Sequence, residues 1–399
     1  MSKPQLPVLI AGAGLASLLL ARSLLRANIP FQVFERDASL SFRGQGYRLR
    51  LSTEGLDAIE SVLDDAAFHD FYHIHCGKTG GEGFAHFDAR TGELLEQQRA
   101  GGESLGSRDG KVVGIARGDM RRLFMQGCEP YVHFNRHVAG YEITKGPDAA
   151  ATVRAIFADG SKSVEGSLLV GGEGIKSTVA KQVSGGKLKI YDLRARGIHG
   201  QAPTTAFKGL GEGVFRLVDD ANPQGRVSVI TNVRPNDMHD PTVQFGWTMV
   251  GVPGAIRAPN DDYTIVGETA ARIAQALTRD WHPRFKPLFD EMNVGQAAFW
   301  KITCSTPSGV PEWPNEPLVT VIGDAAHGMT PAGGIGANTA VRDSALLGRL
   351  LREAGGNRPG VTAEYETQMR VYASEAVRSS YGMATTQFRV NIDELSEVV

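Results

Sequence analysis

Pro317-Leu-Val-Thr-Val-Ile-Gly323-Asp324-Ala-Ala-His327-Gly-Met-Thr-Pro331-Ala-Gly-Gly334-Ile-Gly336-Ala337-Asn338 reads as a strand, a loop and the start of a helix. Leu318 to Ile322 is a short apolar, β-branched run of the kind that fills a buried strand. Glycines and prolines break it, and apolar residues then recur at helical spacing through Ala340, Ala345, Leu346 and Leu350. The helix therefore opens at Gly334 to Asn338. The first N–H groups of a helix lack internal partners, and its dipole is positive there. Glycines let a carbonyl-bearing or anionic ligand approach that backbone closely. Asp324, at the end of the strand, is placed to accept hydrogen bonds from ligand hydroxyls.

A second unit of the same kind opens the chain. Pro7 to Ala11 reads as a strand, Leu15 to Ala27 as a helix and Phe31 to Phe34 as a second strand. Gly12-Ala-Gly14-Leu-Ala-Ser17 lies between the first two, with glycines where a tight turn and close approach to a pyrophosphate need them. The third position is Ser17 rather than glycine. Glu35 follows the second strand at the spacing expected for a carboxylate on a ribose hydroxyl, with Arg36 beside it. A signal peptide or membrane anchor over Val8 to Leu25 is the rival reading, but Gly12, Gly14, Ser17 and Arg22 interrupt that run.

Together these motifs resemble the single-component (group A) flavin monooxygenases with the para-hydroxybenzoate hydroxylase-like fold. Gly323-Asp324-Ala325-Ala326-His327, Pro331 and Gly334-x-Gly336-x-Asn338 are similar to that family's second FAD motif. There the aspartate holds the ribitol and the glycine-rich helix start faces the flavin ring. Arg117-Gly-Asp119-Met-Arg-Arg-Leu123 is similar to an element whose arginine reaches the FAD pyrophosphate, with Asp119 as helix cap. Gly172-Glu173-Gly174-Ile-Lys176-Ser177-Thr-Val179 resembles the third fingerprint, usually Ala-Asp-Gly-x-x-Ser-x-Val-Arg. Gly172, Glu173 and Ala180 replace the usual Ala, Asp and Arg. Gly44-Gln-Gly46-Tyr-Arg48-Leu-Arg50 would pass beside the flavin.

The resemblance implies an α/β fold: a discontinuous Rossmann-like FAD-binding domain (1–70, 107–184 and 304–399) ending in a long helix near 362–387. An antiparallel-sheet substrate domain would take 71–106 and 185–303. It assigns FAD to Gly12, Gly14, Ser17, Glu35, Arg36, Arg48, Arg117, Asp324, Pro331, Gly334, Gly336, Ala337 and Asn338. NAD(P)H would be the transient co-substrate, and O₂ would add at flavin C4a to give a hydroperoxide. That species would hydroxylate or epoxidise a small aromatic or polycyclic organic substrate. A reductase or oxidase of the same fold and a catalytically inactive nucleotide sensor are the rivals. No Trp-x-Trp-x-Ile-Pro motif of a halogenase occurs.

In the substrate segment, Phe215, Phe245 and Trp247 alternate on one sheet face, either core or pocket wall. Arg194 and Arg196 share one side if their strand is regular. Arg196 is then either a catalytic guanidinium beside the flavin or half of an ion pair. His73 and His75 would share a strand face, but no third ligand accompanies them, so no metal is expected. From Tyr131 to Val170 the alternation suggests a meander, with Asp159-Gly160 as a hairpin turn. A net charge of −2 gives no support for nucleic-acid binding or membrane adsorption. Cys76, Cys128 and Cys304 form no disulfide framework, which points to a reducing, cytoplasmic setting. A monomer or a homodimer is expected.

Overall fold

Continuous apolar runs such as Val8-Leu-Ile-Ala11 form strands buried on both faces, as a parallel sheet between helices requires. The computed structural model describes residues 5–40, 48–80, 84–98, 107–145, 150–234, 237–240, 242–257, 259–260, 265–392 and 396–399. Gly44 to Tyr47, part of the stretch read as passing beside the flavin, lies outside them.

The parallel sheet has five strands, β1 (Val8–Ala11), β2 (Phe31–Phe34), β8 (Val132–His133), β11 (Leu168–Gly171) and β17 (Val319–Val321), in the order β17-β11-β1-β2-β8. Val8 lies opposite both Phe31 and Leu168, and Leu169 opposite Val319. This register sets the carboxyl ends of β1, β11 and β17 side by side. Helix α1 (Leu15–Arg26) follows β1. α9 (Gly336–Ala354) packs against α1, against α2 (Thr53–Val62) and against the long α10 (Val361–Gln387). The short α3 (Asp65–His69), α5 (Thr178–Val183) and α8 (Asp324–His327) complete this side.

A three-stranded sheet, ordered β3-β7-β4, joins β3 (Arg48–Leu51), β7 (Lys111–Ala116) and β4 (Gly77–Gly80). A seven-stranded sheet forms the second large layer. Its strands are β5 (Phe84–Asp88), β6 (Leu94–Gln98), β12 (Ile190–Pro203), β13 (Gly213–Asp219), β14 (Val227–Val233), β15 (Gln244–Gly251) and β16 (Ala298–Ser305), ordered β16-β12-β15-β14-β13-β5-β6. Only β13 and β5 run parallel among its neighbours. One face buries Ile198, Phe245, Trp247 and Met249 with residues of α6 (Glu268–Leu277) and α7 (Pro287–Asp290).

Several local expectations are corrected. The meander keeps the hairpin of β9 (Val138–Thr144) and β10 (Thr152–Phe157) and the turn at Asp159-Gly160. Past that turn the chain returns along β10, with bridges from Ile156 to Lys162 and from Val153 to Gly166. But β8 and β11 on either side join the parallel sheet. Asp119 does not cap α4 (Arg117–Met125): β7 runs straight into the helix, Ala116 takes the cap position, and Asp119 bonds Arg122 at 3.0 Å. His73 and His75 sit on a wide helical turn, Asp70–His75, rather than on a strand. The apolar run from Val8 becomes β1 and α1, broken at Gly12 and Gly14, and no helix of the described residues is long and apolar enough to cross a membrane.

Candidate cofactor and substrate cleft

Both glycine-rich turns meet at the carboxyl edge of the parallel sheet. At Gly323 a Cβ would stand 3.4 Å from the Cβ of Ala16 in α1 and 3.5 Å from that of Ala340 in α9. The Ser344 hydroxyl of α9 also donates to the Ala16 carbonyl at 2.7 Å. So the N-terminal fingerprint, the Asp324 loop and the start of α9, some 300 residues apart in sequence, form one locus. Gly14 caps α1 with no side-chain bond, and no acid stands in the first turn. The start of α9 likewise has no side-chain cap and no acid. Two positive helix ends are therefore left open to an anionic or carbonyl-bearing group.

The first turn is closely braced. Gly12 has φ +83°, and a Cβ there would stand 2.7 Å from the Gly172 carbonyl oxygen. Glu35 is buried; its carboxylate accepts from Ala13 N at 2.7 Å and from Asp37 N at 2.9 Å. Arg121, unassigned by the sequence, donates from Nε and Nη2 to the Ala13 carbonyl at 3.1 and 3.0 Å, and its guanidinium lies 3.9 Å from Glu35. Its only sequence signal was helical spacing, four residues after Arg117 on a face turned inward. Arg36 is half-exposed, 3.9 Å from Asp37, and turned to the surface.

Ser17 and Gly172, two of the four departures from the usual motifs, turn out to be neighbours. Ser17 is fully buried, its hydroxyl has no hydrogen-bond partner among the described residues, and a Cβ on Gly172 would strike it. The serine that replaces a glycine occupies the room vacated by the alanine that glycine replaces. Glu173, next in the chain, is half-buried and accepts from Val179 N at 3.0 Å; burial raises its carboxyl pKa, and its other oxygen lacks a partner among the described residues.

Asp324 opens α8 directly after β17. It is reached by solvent, yet protein surrounds it closely enough that burial raises its carboxyl pKa, against the pull of His327 and Arg117. Beneath it lies a buried charge network that sequence reasoning did not find. Asp343 accepts from Gly323 N at 2.6 Å, bonds His327 Nε2 at 2.7 Å, and accepts from the Tyr372 hydroxyl at 2.6 Å. Burial opposes charge on His327, but Asp343 outweighs it and the net pKa is raised. Asn338 ties the rim together: its amide donates to Arg50 O at 2.9 Å and Gly334 O at 3.1 Å and accepts from Ser52 N at 2.8 Å. Its side chain is thus occupied by protein on both ends. Gly334 has φ +64° and open space where a Cβ would point; Pro331 is exposed and Gly336 and Ala337 are half-buried.

Arg117, the first residue of α4, acts electrostatically on both Asp324 and His199 of the seven-stranded sheet. His199 stacks on Trp300 at 4.8 Å, with 4° between the planes, and bonds Thr248 through Nδ1 at 3.0 Å. Burial, assisted by Arg117, pushes its pKa down to about 3, so the ring is neutral at ordinary pH. This is the opposite sheet face from Phe215, Phe245 and Trp247. Those three are buried against Phe207, Phe285, Leu288 and Phe289, so they are core and not cleft wall. A one-residue change of parity separates the two faces.

Arg194 and Arg196 do not share a side, because β12 shifts register between Asp192 and Arg196 and Arg194 takes φ +60°. Arg196 is buried, and its fork grips Asp192 at 2.7 and 3.0 Å. Arg48 donates to Gly114 O at 2.7 Å and lies beside Arg234.

The family described as "FAD binding domain" matches residues 5–380. The dual O-methyltransferase/FAD-dependent monooxygenase CTB3 of Cercospora beticola is 31% identical over 98% of this chain and 48% of its own length. The chain thus spans about half the length of the curated relatives it matches first. The 6-hydroxynicotinate 3-monooxygenase of Pseudomonas fluorescens is 25% identical over 97% of this chain and 92% of its own. Among solved structures, Klebsiella pneumoniae HpxO complexed with FAD and uric acid superposes with a TM-score of 0.74 at 19% identity, covering 96% of this chain and 89% of that one. At that identity the likeness shows the fold.

Proposed function

The chain belongs to the FAD binding domain family, and on that premise we propose that it is an FAD-dependent monooxygenase. It would use NAD(P)H and O₂ to insert one oxygen atom into a small, planar organic molecule. The observation that carries this is the contact of the two uncapped helix starts at Gly323, with the solvent-reached Asp324 next to it. The fungal and bacterial relatives bear monooxygenase names, which agrees with the reading.

FAD, when bound, supplies the electron transfer from NAD(P)H and the activated oxygen drawn from O₂. The residues present suit it. The open amides at Gly14 to Ser17 would hold the pyrophosphate with Arg117, Glu35 would brace the adenosine side through Ala13, and Asp324 would accept from ribitol hydroxyls. Gly334 and Gly336 leave the α9 amides open towards a ring carbonyl, and Asn338 holds that rim in place. The stacked, neutral His199 and Trp300 offer a flat wall that suits an aromatic ring and places no charge against it. Arg196 we read as an anchor of the β12 bulge through Asp192, not as a catalytic group. The division into an FAD-binding domain (1–70, 107–184, 304–399) and a substrate-binding domain (71–106, 185–303) goes with this reading, with one exception. Phe71, Tyr72 and Cys76 pack in the core of the parallel sheet and β4 pairs with β7, which sets 71–80 with the FAD-binding part.

The test is NAD(P)H oxidation over a panel of aromatic and polycyclic compounds under ¹⁸O₂. A product heavier by one labelled oxygen is expected. Reduced or dehydrogenated product without label would favour the reductase or oxidase alternative instead.

A further inference from the structure

Arg48 and Arg234 stand together where the three-stranded sheet meets the end of β14. Gly77 at the start of β4 makes the meeting possible: a Cβ there would stand 2.9 Å from Arg48 Nη2 and would strike the Arg234 side chain as well. Arg234 is only 5% exposed, and its guanidinium lies 4.9 Å over the Phe245 ring. It pairs with Asp237, but its Nη1 has no hydrogen-bond partner among the described residues. Arg48 bonds only the Gly114 carbonyl and has no carboxylate within ion-pair distance among the described residues.

The charges do not balance. Among the described residues two guanidiniums face the single carboxylate of Asp237, a surplus of one positive charge. Asp119, the next carboxylate that acts on Arg48, is already bonded to Arg122. Cys76 does not help, because burial raises its thiol to about 12 and keeps it neutral. Burial, with Arg234 second, lowers Arg48 to about 9, the mark of a cation whose surroundings resist its charge. An uncompensated buried charge is costly, and a bound counter-charge relieves that cost.

We propose that Arg48 and Arg234 form a binding site for one monoanionic group, the carboxylate or ionised hydroxyl of the small organic molecule on which this protein acts. The identification of that molecule as the oxygenated substrate rests on the function proposed above. A monoanion is favoured over a phosphate dianion because it cancels the surplus of one. The forked donors of Arg234, with Nη1 unengaged, suit a planar oxyanion. The position fits: two residues along β3, Arg50 donates to Gly333 O and offers its own carbonyl to Asn338, so β3 runs from the anion site to the rim of the glycine-rich loop. Arg48 thereby moves from the cofactor to the substrate.

The purified protein, with the flavin it carries, is titrated with 4-fluorobenzoate and with its neutral isostere 4-fluorobenzamide, read by fluorine NMR. Inorganic phosphate serves as competitor. The acid should bind about tenfold or more tightly than the amide, the worth of a charge-assisted bond, and phosphate should displace it poorly. Arg234→Gln should abolish the preference and Arg234→Lys should keep part of it, both with unchanged flavin content. Equal affinity for acid and amide, no binding of either, stronger binding of phosphate, or an undiminished preference in Arg234→Gln would each overturn the site. The wild-type comparison decides even if a variant fails to fold. A protein that carries no FAD yet prefers the acid would contradict the proposed function and leave this site standing.

Discussion

The two glycine-rich helix starts leave the same positive end uncapped and are supported by opposite means. At α1 the turn is held from above. Gly12 is pressed against the Gly172 carbonyl, and both polar ends of the Ala13 backbone are gripped, the N–H by Glu35 and the carbonyl by Arg121. At α9 the turn is open above, with nothing among the described residues within 4 Å of the Cβ position of Gly334, and is held from beneath by Asp343, His327 and Tyr372. A locked end suits the invariant part of a dinucleotide. An end that is open on its ligand side and fixed below suits a ring that another molecule must reach.

The sharpest way to break this contrast is to remove the lower support. Asp343→Ala deprives Gly323 N, His327 and the Tyr372 hydroxyl of one acceptor and leaves buried groups unpaired. It should cost about 3–5 kcal/mol in urea unfolding. A loss below about 1 kcal/mol would mean that the loop is not held from beneath.

Next comes a paired comparison. Gly12→Ala meets a left-handed backbone, about 1–2 kcal/mol, and overpacking against Gly172, about 1–3 kcal/mol more. Gly334→Ala meets only the first. Thermal unfolding of both should show Gly12→Ala as clearly the worse; equal losses would remove the distinction between a locked and an open turn.

A pH series sharpens the lower support. The His327 pKa is raised in the fold above its ordinary 6.5. Its pairing therefore stabilises fully below about 6.5 and is lost as pH climbs through the folded value. Urea midpoints should fall as pH rises from 6.5, and Asp343→Asn should flatten that dependence. A wild type whose midpoint is level across the range would contradict the pair.

The smallest effect concerns the upper clamp. Gly172→Ala should destabilise by about 1–3 kcal/mol through the Ser17 hydroxyl, and Ser17→Gly should relieve most of that in the double variant. Strict additivity would show that the two departures are unrelated.

What the sequence made legible follows from where its signals are local. Strand, turn and helix at Gly12 and at Gly323 to Asn338 are short-range patterns, and both elements stand where spacing puts them. The Asp343 network was invisible because its members, Gly323, His327, Asp343 and Tyr372, meet only when α9 and α10 pack. Parity left Phe245 and Trp247 open between core and pocket wall: alternation finds two faces of β15 but cannot say which one meets the helices. Arg194 and Arg196 were misplaced by a register shift that leaves no trace in composition. Ser17 and Gly172 each looked like a blemish alone and made sense only as contacts.

The most direct test of the central claim, that the two helix starts and Asp324 form one FAD site, is the flavin content of purified wild type and Asp324→Ala, with the released flavin identified by chromatography. Wild type should be yellow and release FAD rather than FMN. Asp324→Ala should fold as well as wild type, since burial already disfavours its carboxylate, but hold FAD tenfold or more weakly, about 1.5–3 kcal/mol for a lost charged acceptor. A colourless wild type that takes up no added FAD, or an Asp324→Ala protein that retains FAD as wild type does, would contradict it.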